Sequence, residues 1–374
     1  MIVGEDPLAR SGLSSLLSTE ASLEIVGQTA SPEEILLPSA APNPDVLLWD
    51  LGQDARSSLE RLRAFGDQGV PTVVLCPDES SAVDAYRAHL ADAAGDAFRE
   101  LRLAIDCANG SASVIAPDLF RDLGAEVTVV CAEPDGSNIN DGCGSTHPER
   151  LARTVRQNRL DLGFAFDGDA DRLIAVDERG EIVDGDVVMG VCALERLAAG
   201  TLARGLLVVS VMSNGGLERA ISEAGGSVIR TPVGDRHVFE AMERSGAMLG
   251  GEQSGHVIFR DRATTGDGLL TAIELTKTLR AADGATLSQL AGRIPRLPQV
   301  MINSAVRHKD QWQIDPEFGA AVSQATNVLR GRGRILVRPS GTEPKLRIMV
   351  EGDDSEEISE IARGLARLAE SRLN

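Results

Sequence analysis

At 374 residues the chain is long enough for roughly two to four domains. Its formal net charge of −19, with a pI near 4.7, excludes a nucleic-acid surface or an anionic membrane as the main partner, and an aromatic content of 3% argues against stacking recognition of bases or sugar rings. No apolar stretch approaches the roughly 18 residues of a membrane span, and the start is unlike a signal peptide. The five cysteines (Cys76, Cys107, Cys131, Cys143, Cys192) are scattered without a C-x-x-C, so a cytoplasmic protein with reduced thiols is expected.

Residues 1–85 alternate short apolar strands with amphipathic helices. Strands are expected at Met1–Val3, Leu23–Val26, Val46–Trp49 and Thr72–Leu75, with helices at Leu8–Leu17, Ser31–Leu37 and Ser57–Ala64. Such alternation implies a parallel sheet with its functional groups at strand C-termini. Glu5 and Asp6 follow the first strand, and Asp50 ends the third. The stretch resembles the receiver domain of response regulators. That resemblance implies acids near the first strand that help hold Mg²⁺, and Asp50 as a phosphoacceptor. It breaks off after about 80 residues. Cys76 stands where a receiver has Ser or Thr, and no fifth strand with a Lys follows. The alternative for Asp50 is a turn-capping carboxylate. A sheet cut before its last strand leaves an open edge, so self-association is expected.

Ser80–Ala93 reads as a linking helix stopped by Gly95. A strand at Leu103–Ile105 runs into D-C-A-N-G (Asp106–Gly110), followed by a helix at Ala112–Leu123 and a strand at Glu126–Val130. The Gly/Asn-rich N-I-N-D-G-C-G-S-T-H-P (Asn138–Pro148) signals an irregular loop of the kind that lines sites. A helix at Glu149–Gln157 leads to L-G-F-A-F-D-G-D-A-D-R (Leu162–Arg172). There a buried strand ends in three aspartates at alternate positions, Asp167, Asp169 and Asp171. Carboxylates that close repel one another unless a cation neutralises them, and all-oxygen ligation suits Mg²⁺. The bland alternative is a solvated acidic turn. V-D-G-D-V (Val183–Val187) reads as a turn and helix start.

Strands follow at Leu206–Val211 and Gly225–Ile229, each opening into a polar loop, M-S-N-G-G and T-P-V-G-D-R-H. In G-E-Q-S-G-H (Gly250–His256), Glu252, Gln253, Ser254 and His256 offer the acceptors and donors that a sugar's hydroxyls or amine require, although a hairpin turn explains the spacing equally well. Thr264–Leu275 reads as an N-capped core helix. Residues 298–374 form an α+β unit in which a strand at Arg334–Val337 runs into R-P-S-G-T-E-P-K-L-R (Arg338–Arg347). Hydroxyls and backbone N–H groups ringed by Arg338, Lys345 and Arg347 suit a phosphate, against the alternative of a surface hairpin.

D-C-A-N-G, N-I-N-D-G-C-G-S-T-H-P, D-G-D-A-D-R, G-D-R, G-E-Q-S-G-H and R-P-S-G-T-E-P occur in that order. The series resembles the phosphohexomutase superfamily, and G-E-Q-S-G-H with V-M-S-N resembles its phosphoglucosamine mutases, over about residues 86–374 and three of the family's four domains. The resemblance implies that Asp167, Asp169 and Asp171 bind Mg²⁺ and that Arg172 lies near the reacting phosphate. Glu252, Ser254 and His256 would hold the sugar, Arg236 would line the cleft, and Arg338, Ser340, Gly341, Thr342 and Arg347 would clamp the non-reacting phosphate. The implied reaction interconverts glucosamine 6-phosphate and glucosamine 1-phosphate through a bisphosphate. Its phosphoserine belongs to a first-domain loop of type S-A-S-H-N-P. The nearest match here is T-A-S-P (Thr29–Pro32), where Ser31 reads better as a helix cap. Turnover is therefore not assured, and a sugar-phosphate-binding fusion protein is the alternative. The expected architecture is multidomain α/β: a truncated receiver-like segment (1–85), a linker helix (86–98), two phosphohexomutase α/β domains (99–202 and 203–297) and a C-terminal α+β domain (298–374).

Overall fold

A computed structural model describes residues 1–18, 20, 22–30, 44–50, 58, 61–62, 72–75, 79–282, 284–340 and 343–374. Two compact units divide the chain, Met1–His89 and Leu90–Asn374. The division falls within a helix at Glu79–Ala94 (α2).

In the first unit, strands Ile2–Val3 (β1), Gln28–Thr29 (β2), Leu47–Asp50 (β3) and Thr72–Leu75 (β4) form a parallel sheet in the order β2-β1-β3-β4. Flavodoxin-like doubly wound sheets begin with this order. Helix Pro7–Leu17 (α1) starts where Asp6 accepts hydrogen bonds from the Leu8 and Ala9 N–H groups, with Pro7 at the first helical position. The strand expected at Leu23–Val26 is irregular. Pairing with β1 falls instead at Gln28 and Thr29, where Thr29 is buried while Leu23 is exposed. The expected helices at Ser31–Leu37 and Ser57–Ala64 lie wholly or largely outside the described residues, as do Ser31 and Cys76.

Among the described residues the second unit contains three sheets. In the first, Arg102–Asp106 (β5), Glu126–Val130 (β6), Leu162–Phe166 (β7), Leu173–Val176 (β8) and Ile182–Val183 (β9) lie in the order β6-β5-β7-β8-β9. Strands β6, β5 and β7 run parallel, and β8 returns antiparallel to β7. Every residue of β7 is buried, so the apolar run before the aspartates is a core strand. Helices Ala112–Asp122 (α3) and Glu149–Asn158 (α4) belong to this layer.

Leu206–Ser210 (β10), Ser227–Thr231 (β11), Leu249–Gly251 (β12) and Val257–Phe259 (β13) make the second sheet, in the order β11-β10-β12-β13. Its helices are Gly185–Ala198 (α5), Gly215–Glu223 (α6), Asp235–Ser245 (α7), Gly268–Ala281 (α8) and Leu287–Ala291 (α9). Asp184 caps α5, as the V-D-G-D-V turn suggests, and Asp267 caps α8, a few residues later than expected. Asp186 is 2% exposed and accepts a hydrogen bond from the Asn214 N–H at 2.8 Å; burial pushes its pKa up to about 6.

The third sheet is antiparallel, with Gln299–Ala305 (β14), Gly333–Pro339 (β15) and Lys345–Gly352 (β16) in the order β14-β16-β15. Alternate β16 residues Leu346, Ile348 and Val350 share one core with residues of the helices Pro316–Val328 (α10) and Ser355–Arg372 (α11). Arg334 ties this sheet to the second by donating to the Val211 carbonyl at 2.8 Å and the Ser213 carbonyl at 2.6 Å. Among the described residues no helix is long and apolar enough to cross a membrane.

Candidate functional site

The antiparallel return from β7 to β8 forces Asp167–Arg172 into a tight connection, with Ala170 in the left-handed region at φ 61°. Asp167, Asp169 and Asp171 each place a carboxylate oxygen within 4.8 Å of the others. Asp167 is buried, and its pKa is pushed up to about 6 by burial and by the charges of Asp171 and Asp169. Arg172 offsets part of this repulsion: its N–H donates to Asp167 Oδ1 at 3.2 Å, and its Nε lies 3.5 Å from both Asp167 Oδ2 and Asp171 Oδ1. Asp171 Oδ1 is nevertheless buried without a hydrogen-bond partner. A hard divalent cation fits this all-oxygen, under-neutralised cluster.

Two further loops are stapled to the aspartate loop. The Leu173 N–H donates to the Gly255 carbonyl at 3.0 Å, and the Gly268 N–H to the Ala170 carbonyl at 2.9 Å. The approach at Gly255 is so close that an added Cβ would sit 2.3 Å from the Leu173 carbonyl oxygen, which requires glycine there. His256, expected with the sugar-holding residues, has both ring nitrogens engaged elsewhere. Nε2 accepts from the Gly266 N–H at 3.1 Å, so the proton sits on Nδ1, which donates to Asp171 Oδ2 at 3.0 Å. At 4% exposure it faces the Asp171 carboxylate rather than open space.

Around it, Ser254 is exposed and Glu252 half-buried, with Glu252 Oε1 accepting from the Gly234 N–H at 3.1 Å. That bond joins G-E-Q-S-G-H to T-P-V-G-D-R-H. Arg236, at the end of the second loop, is 84% exposed and pairs with Glu240 at 2.8 Å.

On the third sheet, Arg338 and Arg347 are direct partners across β15 and β16. Like charges so placed repel; burial and Arg347 hold the Arg338 pKa below its usual value. No ion pair to either is found among the described residues. Ser340 is 3% exposed, and its N–H donates to the Lys345 carbonyl at 2.9 Å. Lys309 completes the turn by donating to the Ser340 carbonyl and, at 3.3 Å, to the Glu343 carbonyl. Nothing in the sequence near Lys309 signals this contact. Gly341 and Thr342 lie outside the described residues. Among the described residues no hydrogen bond joins this basic turn to the aspartate loop.

In the first unit, Asp50 ends β3 beside Gly4, where an added Cβ would lie 3.1 Å from Asp50 Cβ. Asp6 is engaged as the α1 cap and Glu5 pairs with Arg61 at 2.6 Å. Among the described residues these acids do not form a metal-sized cluster with Asp50.

Profiles of the phosphoglucomutase/phosphomannomutase domains match in series: α/β/α domain II over residues 84–180, α/β/α domain III over 184–297 and the C-terminal domain over 301–368. The fold and its loops thus have the makings of a phosphohexomutase. Among curated proteins, the chain is 48% identical to a phosphoglucosamine mutase of Moorella thermoacetica over 86% of its own length and 73% of that protein. It is 50% identical to that of Thermoanaerobacter pseudethanolicus over 74% of this chain and 62% of that one. The chain belongs to the phosphoglucosamine mutase family. Among solved structures, a phosphoglucomutase/phosphomannomutase family protein from Burkholderia thailandensis matches with a TM-score of 0.67 at 26% identity, covering 86% of this chain and 71% of that one. Aspergillus fumigatus N-acetylphosphoglucosamine mutase, solved in complex with GlcNAc-6P and magnesium, shares the fold with a TM-score of 0.64 at 18% identity, over 90% of this chain and 84% of that one.

Proposed function

We propose that this chain binds a phosphorylated hexosamine together with Mg²⁺, in a site built for interconverting glucosamine 6-phosphate and glucosamine 1-phosphate through a bisphosphate. The observation that carries this reading is the convergence of Asp167, Asp169 and Asp171 on one point with their repulsion only partly offset by Arg172. The three aspartates would hold the ion, which supplies charge stabilisation for in-line phosphoryl transfer.

The rest falls to the chain's own side chains. Arg172, whose guanidinium lies at the carboxylates, would stabilise the charge on the oxygens of the transferring phosphoryl group. Glu252 and Ser254 accept and donate to the sugar's hydroxyls and amine. Arg338 and Arg347, with Ser340, Gly341 and Thr342, clamp the distal phosphate, whose charge removes their mutual repulsion. Arg236 lines the cleft. His256 acts at one remove, as a positioning residue that holds Asp171.

Transfer also needs a phosphoryl carrier. The S-A-S-H-N-P type of loop has no match within residues 1–374, so the chain alone is expected to bind substrate without efficient turnover. Calorimetry with glucosamine 6-phosphate and Mg²⁺ tests the binding: heat should be measurable at millimolar ligand or below, and Arg338→Ala should weaken it at least tenfold. No heat from the folded protein would remove the proposal.

A second reading concerns the first unit, whose parallel order β2-β1-β3-β4 with Asp50 at a strand C-terminus supports a receiver-like α/β segment. Phosphorylation at Asp50 is the activity this would carry.

A further inference from the structure

A different cluster lies beside the aspartate loop. Asp106 ends β5, Cys131 follows β6, and Cys143 sits in the 138–148 loop; each offers a ligand atom within 4.8 Å of the others. We propose that Asp106, Cys131 and Cys143 form a second metal site, selective for a thiophilic divalent ion of the Zn²⁺ class, with water completing the coordination.

The donor chemistry favours that class. Two thiolates and one carboxylate are among the ligands tetrahedral Zn²⁺ takes, whereas Mg²⁺ prefers the all-oxygen aspartate loop. Asp106 supplies the independent observation. It is fully buried, its Oδ1 accepts from the Ala108 N–H at 3.0 Å, and its Oδ2 has no hydrogen-bond partner. A buried carboxylate with an idle oxygen calls for a proton or a cation.

The surroundings fit an ion as well. Cys143 is 1% exposed, and Asn109 Nδ2 lies 3.8 Å from its sulfur. Cys131 is half-buried, which leaves a way in, and sits in the left-handed region at φ 50° just past β6. Arg150 Nη1 donates to its sulfur at 3.3 Å, a contact that strengthens once the thiol becomes a thiolate. Burial holds all three groups above their ordinary pKa values, that of Cys143 at about 12. The Asp106 charge pushes both thiols up further, while Arg150 and nearby backbone N–H groups offset part of the rise at Asp106, and a cation among the three would relieve what is left. Binding expels the two thiol protons to solvent and changes no oxidation state. With two thiolates and one carboxylate around a divalent ion, the net charge of −1 is offset by Arg150.

Such an ion would brace the aspartate loop. An added Cβ at Gly144 would lie 2.5 Å from the Phe166 carbonyl oxygen, and the Ser111 N–H donates to the Gly168 carbonyl at 2.9 Å. Clamping Cys143 to β5 therefore stiffens the support under Asp167.

The test uses the full chain, reduced and free of oxygen, with Mg²⁺ in excess, titrated with Co²⁺. The aspartate loop has no sulfur, so it cannot give a thiolate-to-cobalt charge-transfer band. The expected result is such a band saturating at one equivalent, release of about two protons per ion, and displacement by Zn²⁺. The band should persist in Asp167→Asn and Cys107→Ser and disappear in Cys131→Ser, whose half-buried position makes it the variant most tolerant of change. No band, or a band that survives Cys131→Ser in the folded protein, overturns the proposal.

Discussion

Replacing His256 by alanine separates a residue that holds a metal ligand from one that touches sugar. The substitution deletes the Nδ1–H donor 3.0 Å from Asp171 Oδ2 and strips the Gly266 N–H of its acceptor. A hydrogen bond to a charged group contributes about 1.5–3 kcal/mol, and losing a metal ligand's supporting partner typically costs about 10- to 100-fold in metal affinity. Asp171 is 32% exposed and keeps Arg172 at 3.5 Å, so water and Arg172 replace part of the lost contact and the expected loss lies nearer tenfold. The orphaned Gly266 N–H adds about 1–3 kcal/mol of destabilisation, visible as a lower melting temperature. Calorimetric titration with Mn²⁺, without sugar, reads the metal term alone. His256→Asn, whose amide nitrogen stands where Nδ1 stood, should restore most of the affinity. Unchanged Mn²⁺ affinity in a folded His256→Ala protein would refute the assignment of His256 to the metal ligand.

Other outcomes follow from the same geometry. Because burial raises the Asp186 pKa to about 6, the folded state holds this proton more tightly than the unfolded chain does. Stability from this group is present below about pH 4 and lost as pH rises through about 6, on the order of 3 kcal/mol in all. Asp186→Asn should flatten that slope in denaturant titrations between pH 4 and 7, and an unaltered slope would count against it. In a coupled assay with glucosamine 6-phosphate, Mg²⁺ and a trace of bisphosphate, the purified chain should turn over far more slowly than a mutase carrying its serine loop; robust turnover would show that another group carries the phosphate. Acetyl phosphate should label the wild-type chain and not Asp50→Asn if the first unit keeps receiver chemistry, and absence of labelling ends that reading. Lys309→Ala should weaken sugar-phosphate binding by loosening the Ser340–Glu343 turn while leaving Mn²⁺ affinity unchanged; equal losses of both would contradict a role confined to that turn.

How far these features could be read in advance depended on their range along the chain. Leu162–Phe166 announces a buried strand because five apolar residues stop at alternate aspartates, and the structure has that strand with no exposed residue. Helix starts carried by local chemistry, such as Asp184 before α5, were equally legible. The strand expected at Leu23–Val26 was not, because an apolar run alone does not fix register, and β1 pairs with Gln28 and Thr29 instead. The bond from His256 to Asp171 spans 85 positions, and the Lys309 contact with Ser340 spans 31, so no local pattern encodes either. Arg338 and Arg347 were visible as a basic turn, but their direct opposition is a property of the β15–β16 register.

The most direct measurement is a crystal structure of the chain with glucosamine 6-phosphate and Mn²⁺, using the metal's anomalous scattering. The expected result is one manganese peak bonded to Asp167, Asp169 and Asp171, with the sugar's phosphate seated between Arg338 and Arg347. A phosphate bound elsewhere, or three aspartates without manganese at saturating concentration, would contradict it.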